Sequence, residues 1–104
     1  MSKKKEALLK NLLCETAAVI HVGVTDSGGP STVALVDVEK TLTDKGKLEF
    51  AFKKTNNINE AWWTNEEVTP MFGGKSCRST SVGDMVLLAS GKKYKCENTG
   101  WSEI

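Results

Sequence analysis

Two apolar runs rich in β-branched residues constrain the fold of this chain more than any other feature. They span residues 17–24 and 33–38, and Val is the commonest residue in both. β-Branched side chains favour strands because they pack well on a pleated surface. Between the runs, residues 26–31 (Asp-Ser-Gly-Gly-Pro-Ser) combine the residue types that break regular structure. This pattern predicts two strands separated by a loop.

A third strand is predicted at residues 48–53, after a tight connection at residues 43–46. Leu48, Phe50 and Phe52 recur at every second position, with Glu49 and Lys53 facing water, which is typical of a strand with one buried face. That face needs a cover, and a helix is the expected one.

The covering helix is predicted to begin at Asn57. Asn57 followed by Glu60 is a variant of the capping box, in which each side chain satisfies a free backbone N–H group at the helix start. Pro70 would end the segment.

The two ends of the chain complete the predicted fold. Leucines recur at helical spacing within residues 3–14, and residues 85–89 and 93–97 form a predicted hairpin around a Ser-Gly turn. We therefore predict an α+β protein: a mainly antiparallel sheet of about five strands, a helix packed on one face, and a short N-terminal helix. The whole chain, 1–104, would be a single domain, divided into an N-terminal helix (1–15), strands (16–54), a helical segment (55–69), and a strand hairpin with the C-terminal tail (77–104).

Charge and hydropathy exclude several function classes. Fourteen basic residues balance thirteen acidic ones, so no overall field attracts nucleic acid or anionic lipid, and nucleic-acid binding is expected to be weak. No apolar stretch of 18 residues predicts a membrane span, and the N-terminal region lacks a small-residue cleavage site. These features predict a cytoplasmic protein.

The cysteines indicate reduced thiols. Cys14, Cys77 and Cys96 are an odd number at wide spacings, whereas a secreted disulfide framework normally has an even number. A zinc site that combines the three thiols with His21 is an alternative, although no paired spacing supports it. We predict no metal site and no cofactor.

Residues 77–84 (Cys-Arg-Ser-Thr-Ser-Val-Gly-Asp) are the densest polar cluster in the sequence. In an enzyme, Cys77 could act as a nucleophile and Arg78 could stabilise an anion. A nucleophile needs a base, however, and the only histidine, His21, is remote in sequence. The segment is better explained as an ordered start to a strand, with Asp84 or a serine bonded to the backbone and Gly83 supplying a positive φ. We predict no catalytic residue.

The adjacent tryptophans favour a binding role. Neighbouring residues on a helix point about 100° apart, so Trp62 and Trp63 would not both face the core. Helical spacing from Ile58 and Ala61 places Trp62 in the core and Trp63 on the surface. An alternative is a loop that covers the second indole. Because exposed aromatic and arginine side chains are typical of binding hot spots, we predict a surface formed by Trp63 with two residues of the loop at 71–81, Phe72 and Arg78.

The second half of the chain resembles a known pattern. Its features are residues 78–86 (Arg-Ser-Thr-Ser-Val-Gly-Asp-Met-Val), Tyr94, and residues 100–104 (Gly-Trp-Ser-Glu-Ile). Together, over residues 53–104, they resemble YodL-like domains and uncharacterised small proteins of phages and mobile elements. The resemblance implies a phage-encoded accessory protein in the bacterial host cytoplasm. It supplies no catalytic residue.

The predicted function is therefore non-enzymatic binding of a host or phage protein. Two alternatives remain open at this point: a small nucleic-acid-binding β-rich domain, and a structural component of a phage.

Overall fold

The computed structural model describes residues 12–23, 29–57 and 61–104. It confirms the α+β class: six strands form one antiparallel sheet, rather than about five, and a helix packs against it. The helix predicted at residues 1–15 lies almost entirely outside the described residues. Within the described ranges, no helix is long and apolar enough to cross a membrane. In chain order the elements are β1 (Cys14–Val22), β2 (Pro30–Glu39), α1 (Asp44–Lys54), a 3-10 helix (Trp62–Thr64), β3 (Val68–Pro70), β4 (Met85–Leu87), β5 (Lys93–Glu97) and β6 (Gly100–Glu103).

Strands β1 and β2 are the two apolar runs, and they pair with each other at the centre of the sheet. The strand order is β3-β2-β1-β4-β5-β6. Ala17 lies opposite Val36 and Val19 lies opposite Ala34, and all four side chains are fully buried. β-Branched residues at alternating positions thus form the inner face of the sheet, as their spacing predicts.

The strand predicted at residues 48–53 is wrong, because α1 occupies this region. Thr43 caps the helix by accepting a hydrogen bond from the Gly46 N–H, 3.1 Å away. Leu48 and Ala51, one helical turn apart, are buried against the sheet. In so short a segment, alternation of apolar residues fits a helix as well as a strand. The absence of β-branched residues from Asp44–Lys54 is the signal that favours the helix.

The helix predicted from Asn57 over residues 55–69 is also wrong. Among the described residues of this segment, 55–57 and 61–69, only Trp62–Thr64 is helical, as one 3-10 turn, and β3 follows it. The Asn57 side chain accepts a hydrogen bond from the Trp62 N–H at 3.0 Å, so it closes a loop rather than capping a helix. Glu60, the other half of the predicted capping box, lies outside the described residues. Val68 pairs with Val36 of β2, and this tertiary pairing overrides the local helical signal.

The C-terminal region confirms the predicted hairpin and extends it. Strands β4 and β5 pair around Ser90-Gly91, with the Leu88 N–H bonded to the Lys92 carbonyl at 2.9 Å. The C-terminal tail returns as β6 along the outer side of β5. Helix α1 thus covers one face of the sheet, and the segment between β3 and β4 closes one end of the core.

Candidate functional site

The candidate site forms where the end of β1 meets residues 77–84. This segment is irregular but tightly bonded. The Ser81 N–H donates to Oδ2 of Asp84 at 2.8 Å, and the Asp84 N–H donates to the Ser81 carbonyl at 3.0 Å. Gly83 has a backbone φ of 96°, which residues other than glycine rarely adopt. Both predictions for this turn, the backbone bond of Asp84 and the positive φ of Gly83, are confirmed.

Asp84 and Arg78 form the charged part of the site. The guanidinium donates to both carboxylate oxygens, at 2.6 and 2.8 Å, and also to the Val22 carbonyl at 2.9 Å. The Val22 N–H donates to Oδ1 of Asp84 at 3.0 Å, so the pair ties the end of β1 to the loop. Burial alone would raise the pKa of Asp84. Hydrogen bonds from Arg78 and from the Ser81 and Val22 N–H groups outweigh burial and hold that pKa below its ordinary value of 3.8.

His21 lies beneath this pair and is fully buried. Its Nε2 is 2.8 Å from Oγ1 of Thr80 and 3.8 Å from Oδ2 of Asp84, and its Nδ1 is 3.6 Å from Sγ of Cys77. Burial lowers the pKa of His21 below its ordinary value of 6.5, and the charge of Arg78 adds to this effect, while Asp84 opposes it. The imidazole is therefore neutral near pH 7.

A chain of hydroxyl groups connects His21 to helix α1. Oγ1 of Thr80 lies 2.7 Å from Oγ1 of Thr55, which donates to the Ala51 carbonyl at 2.8 Å. Thr55 and Thr80 are both buried. We call His21, Thr55, Thr80, Asp84 and Arg78 the polar cluster. Each of its buried groups has a hydrogen-bond partner, as burial of polar atoms requires.

Cys77 stands at the border between the polar cluster and solvent. It is half-buried and lines an open pocket of about 390 Å³ together with Phe72, Val33 and Arg78. Burial raises the pKa of the Cys77 thiol, and the charge of Arg78 opposes that shift only in part. Cys77 thus lines the pocket as a residue, and its Sγ lies 3.6 Å from Nδ1 of His21.

Three aromatic rings support the wall of this pocket. Trp62, Trp63 and Phe72 pack edge to face, with ring centroids 5.4–5.6 Å apart. Trp62 is fully buried, as predicted, and its Nε1–H donates to the Cys77 and Arg78 carbonyls at 3.1 and 3.0 Å. Trp63 is half-buried and packs against the core, so it is less exposed than a free surface residue.

The three predicted binding residues lie in one region. Trp63 contacts Phe72, and Phe72 and Arg78 line the same pocket. The premise that His21 lies far from Cys77 is wrong, although the two are 56 residues apart in sequence. The sequence contains one indication that His21 is buried: it follows Ala17 and Val19 at the alternating, inward-facing positions of β1. A histidine at a buried position needs polar partners.

No protein-family model, curated protein or solved structure matches this chain. Among residues 12–23, 29–57 and 61–104, no group of three or more metal-ligating side chains is present. The site therefore combines an open pocket lined by Phe72 and Arg78 with a thiol beside a neutral imidazole.

Proposed function

We propose that this chain is a non-enzymatic binding protein that recognises another protein through Trp63, Phe72 and Arg78, which we call the Phe72 surface. The observation that carries the proposal is that Phe72 and Arg78 line one pocket and that Trp63 packs edge to face against Phe72. Following the resemblance in residues 53–104, we further propose that it is an accessory protein of a phage or mobile element, and that its partner is a host or phage protein.

The Phe72 surface has the physical properties of a binding hot spot. Its two aromatic side chains are only half-buried, and Met71 beside them is 53% exposed. The rings rest on Trp62, which is fixed in the core, so little conformational entropy is lost when a partner binds. Aromatic and arginine anchors next to a pocket are typical of the residues that dominate interfaces.

A protein partner is favoured over nucleic acid by the charges. The net charge of the chain is +1. At the site itself, Asp84 neutralises Arg78, so the guanidinium does not offer a free positive charge to a nucleic-acid phosphate. A pocket of about 390 Å³ to which Val33 and Phe72 contribute apolar surface has room for one large apolar side chain of a partner.

The position of His21 supports binding rather than catalytic turnover. An imidazole with 0% exposure lies behind Cys77 and has no direct access to a leaving group in the pocket. Hydrolysis of an amide or ester requires such proton delivery.

Site-specific photocrosslinking tests the proposal. A photoreactive benzoylphenylalanine is introduced at Met71, next to the Phe72 surface, or at Leu87, which is 38% exposed on the other face of the sheet and serves as the matched control. In host lysate, we expect a discrete adduct from Met71 and none of the same mass from Leu87. Unlabelled wild-type protein should suppress that adduct by competition. The unlabelled Phe72→Ser variant should give the same suppression only at about 30-fold higher concentration, which corresponds to the loss of about 2 kcal/mol of binding free energy.

Two outcomes would contradict the proposal. The first is an identical set of adducts from both positions. The second is equal competition by the wild-type protein and a folded Phe72→Ser variant. Submicromolar binding to DNA or RNA oligonucleotides at about 150 mM salt would instead favour the nucleic-acid alternative.

A further inference from the structure

We infer that Cys77 is a modification site that reacts with disulfides, with His21 as the acceptor of its proton. The juxtaposition that carries this inference is a half-buried cysteine that lines an open pocket and has its Sγ 3.6 Å from Nδ1 of His21. The inference goes beyond the proposed binding role and does not depend on it. It concerns one stoichiometric reaction of the thiol.

The hydroxyl chain determines which nitrogen of His21 carries the proton. Thr55 has one hydroxyl hydrogen, and it points at the Ala51 carbonyl, which can only accept. Thr55 must therefore accept from Thr80, which uses the single hydrogen of Thr80. Thr80 in turn can only accept from His21, so Nε2 of the neutral imidazole carries the hydrogen.

It follows that Nδ1 of His21 is an unprotonated acceptor, and this is the nitrogen that faces Cys77. The thiol S–H can therefore donate to Nδ1. Because sulfur is large and a weak donor, a separation of 3.6 Å is within hydrogen-bonding range. The hydroxyl groups of Thr55 and Thr80, which connect the Ala51 carbonyl of α1 to His21, thus leave an unprotonated nitrogen beside Cys77. Cys77 lines the pocket.

The same geometry defines the class of electrophile. His21 lies behind the thiol, so it can remove the thiol proton but does not reach a group that departs on the pocket side. Amines and alkoxides need a proton in order to leave, whereas a thiolate leaves without one because thiols have a pKa of about 8.5. Disulfide exchange also needs no oxyanion hole, so a small-molecule disulfide suits the site.

The proposed step is balanced. The S–H bond of Cys77 breaks and its proton passes to Nδ1 of His21, while the sulfur forms a bond to one sulfur of the disulfide. The S–S bond of the disulfide breaks, and its electron pair departs on the second sulfur as a thiolate. Cys77 is oxidised to a mixed disulfide, and the departing half is reduced. The released thiolate takes up a proton from solvent, and His21 gives its proton back to solvent and so returns to its neutral form.

The charged groups around His21 set the balance for this proton transfer. Asp84, with Oδ2 at 3.8 Å from Nε2, stabilises the transient imidazolium. Arg78 and burial oppose it. The resting state is therefore a neutral thiol beside a neutral imidazole, and the proton moves only as the sulfur attacks.

The pH dependence of modification in the wild-type protein tests the inference without any variant. The protein is treated with oxidised glutathione, and the adduct at each cysteine is quantified by peptide mapping. An unassisted thiol reacts through its thiolate, whose fraction rises about tenfold per pH unit below the thiol pKa. We expect Cys77 to react at a nearly constant rate from pH 6.5, the ordinary pKa of histidine, to about pH 8, without this tenfold rise.

His21→Gln provides the matched variant. Glutamine retains an N–H donor for Thr80 but has no basic nitrogen. Near pH 7 we expect the rate at Cys77 to fall about 100-fold while the rate at Cys14 stays constant. At a pH above the thiol pKa, where no base is needed, the rates of wild type and variant should converge. A tenfold rise per pH unit at Cys77 in the wild-type protein would overturn the inference, and so would a slower reaction at Cys77 than at Cys14 near pH 7.

Discussion

Three inward-facing side chains of β1 are fully buried, but they lie in two different surroundings. Ala17 and Val19 lie in an apolar core formed by the sheet and α1, whereas His21, two residues later on the same face, lies in the polar cluster. All three side chains have 0% exposure. One strand therefore contributes to two kinds of protein interior.

The comparison shows how differently the two interiors are stabilised. In the apolar core, each side chain contributes in proportion to the area that it buries, and neighbours can adjust to small changes. In the polar cluster, each group depends on a specific partner. Across the described residues, no buried side-chain nitrogen or oxygen lacks a hydrogen bond. Removal of one partner would leave another group unsatisfied, so we expect the polar cluster to tolerate less variation.

The largest effect is expected at Trp62, which joins the two regions. Trp62→Ala removes a fully buried indole and its two hydrogen bonds to residues 77–78, so we expect the free energy of unfolding to fall by about 3–5 kcal/mol. Trp63→Ala, at a half-buried ring, should cost about 1 kcal/mol. Urea denaturation of both variants measures the difference. Equal losses would mean that both indoles are core residues.

Asp84→Asn breaks the charged part of the polar cluster. Loss of one partner of a buried pair costs about 3–5 kcal/mol, and we expect about 3 because Arg78 is 41% exposed and water can solvate it. Glu39→Gln, at an exposed site, is the control and should be neutral. The pKa of Asp84 lies below 3.8, so its contribution is complete above that pH and is lost on further acidification. Denaturation curves of the two proteins should therefore converge at low pH.

Two substitutions that hardly change side-chain volume test the difference between the polar cluster and the apolar core. Thr80→Val deprives the Nε2–H of His21 of its acceptor, and we expect a loss of about 2 kcal/mol. Val19→Thr places a hydroxyl group in the apolar core, and we expect a similar loss. Thermal or urea unfolding of each variant measures these losses. If Thr80→Val has no effect, the polar cluster is not a coupled network.

The single histidine should give the protein a distinct dependence of stability on pH. Because the pKa of His21 is lowered in the folded state, only the unfolded chain takes up this proton as the pH falls below 6.5. Stability should therefore be complete above pH 6.5 and decline below it, by up to about 1.4 kcal/mol per pH unit. His21→Gln should remove the part of this decline that begins as the pH falls below 6.5. If the dependence of stability on pH is unchanged in His21→Gln, titratable groups other than His21 cause it.

A smaller effect than those at Trp62, Asp84 and Thr80 is expected at Gly83, in the turn that presents Asp84. At a φ of 96°, a β-branched side chain is strained, and Gly83→Val should cost about 1–2 kcal/mol even though open space surrounds the site. Gly73→Val is the control, because Gly73 also has open space but no positive φ. Equal melting temperatures for the two variants would contradict the role assigned to the backbone at Gly83.

The sequence by itself determined the elements whose signals are local and strong. The β-branched runs specified β1 and β2, the Ser-Gly turn specified the β4–β5 hairpin, and Gly83-Asp84 specified the turn before β4. In each of these cases the physical cause lies within a few neighbouring residues: side-chain branching, turn geometry or a short-range hydrogen bond.

Tertiary structure decided the remainder. Residues 48–53 and 62–70 carry patterns compatible with either helix or strand, and burial of Leu48 and Ala51 in one case and pairing with β2 in the other selected the outcome. The polar cluster depends on contacts such as that of His21 with Thr80, 59 residues away. No local pattern encodes such a contact, because it forms only when the sheet brings the end of β1 to the segment before β4. The base beside Cys77 is therefore a product of the fold.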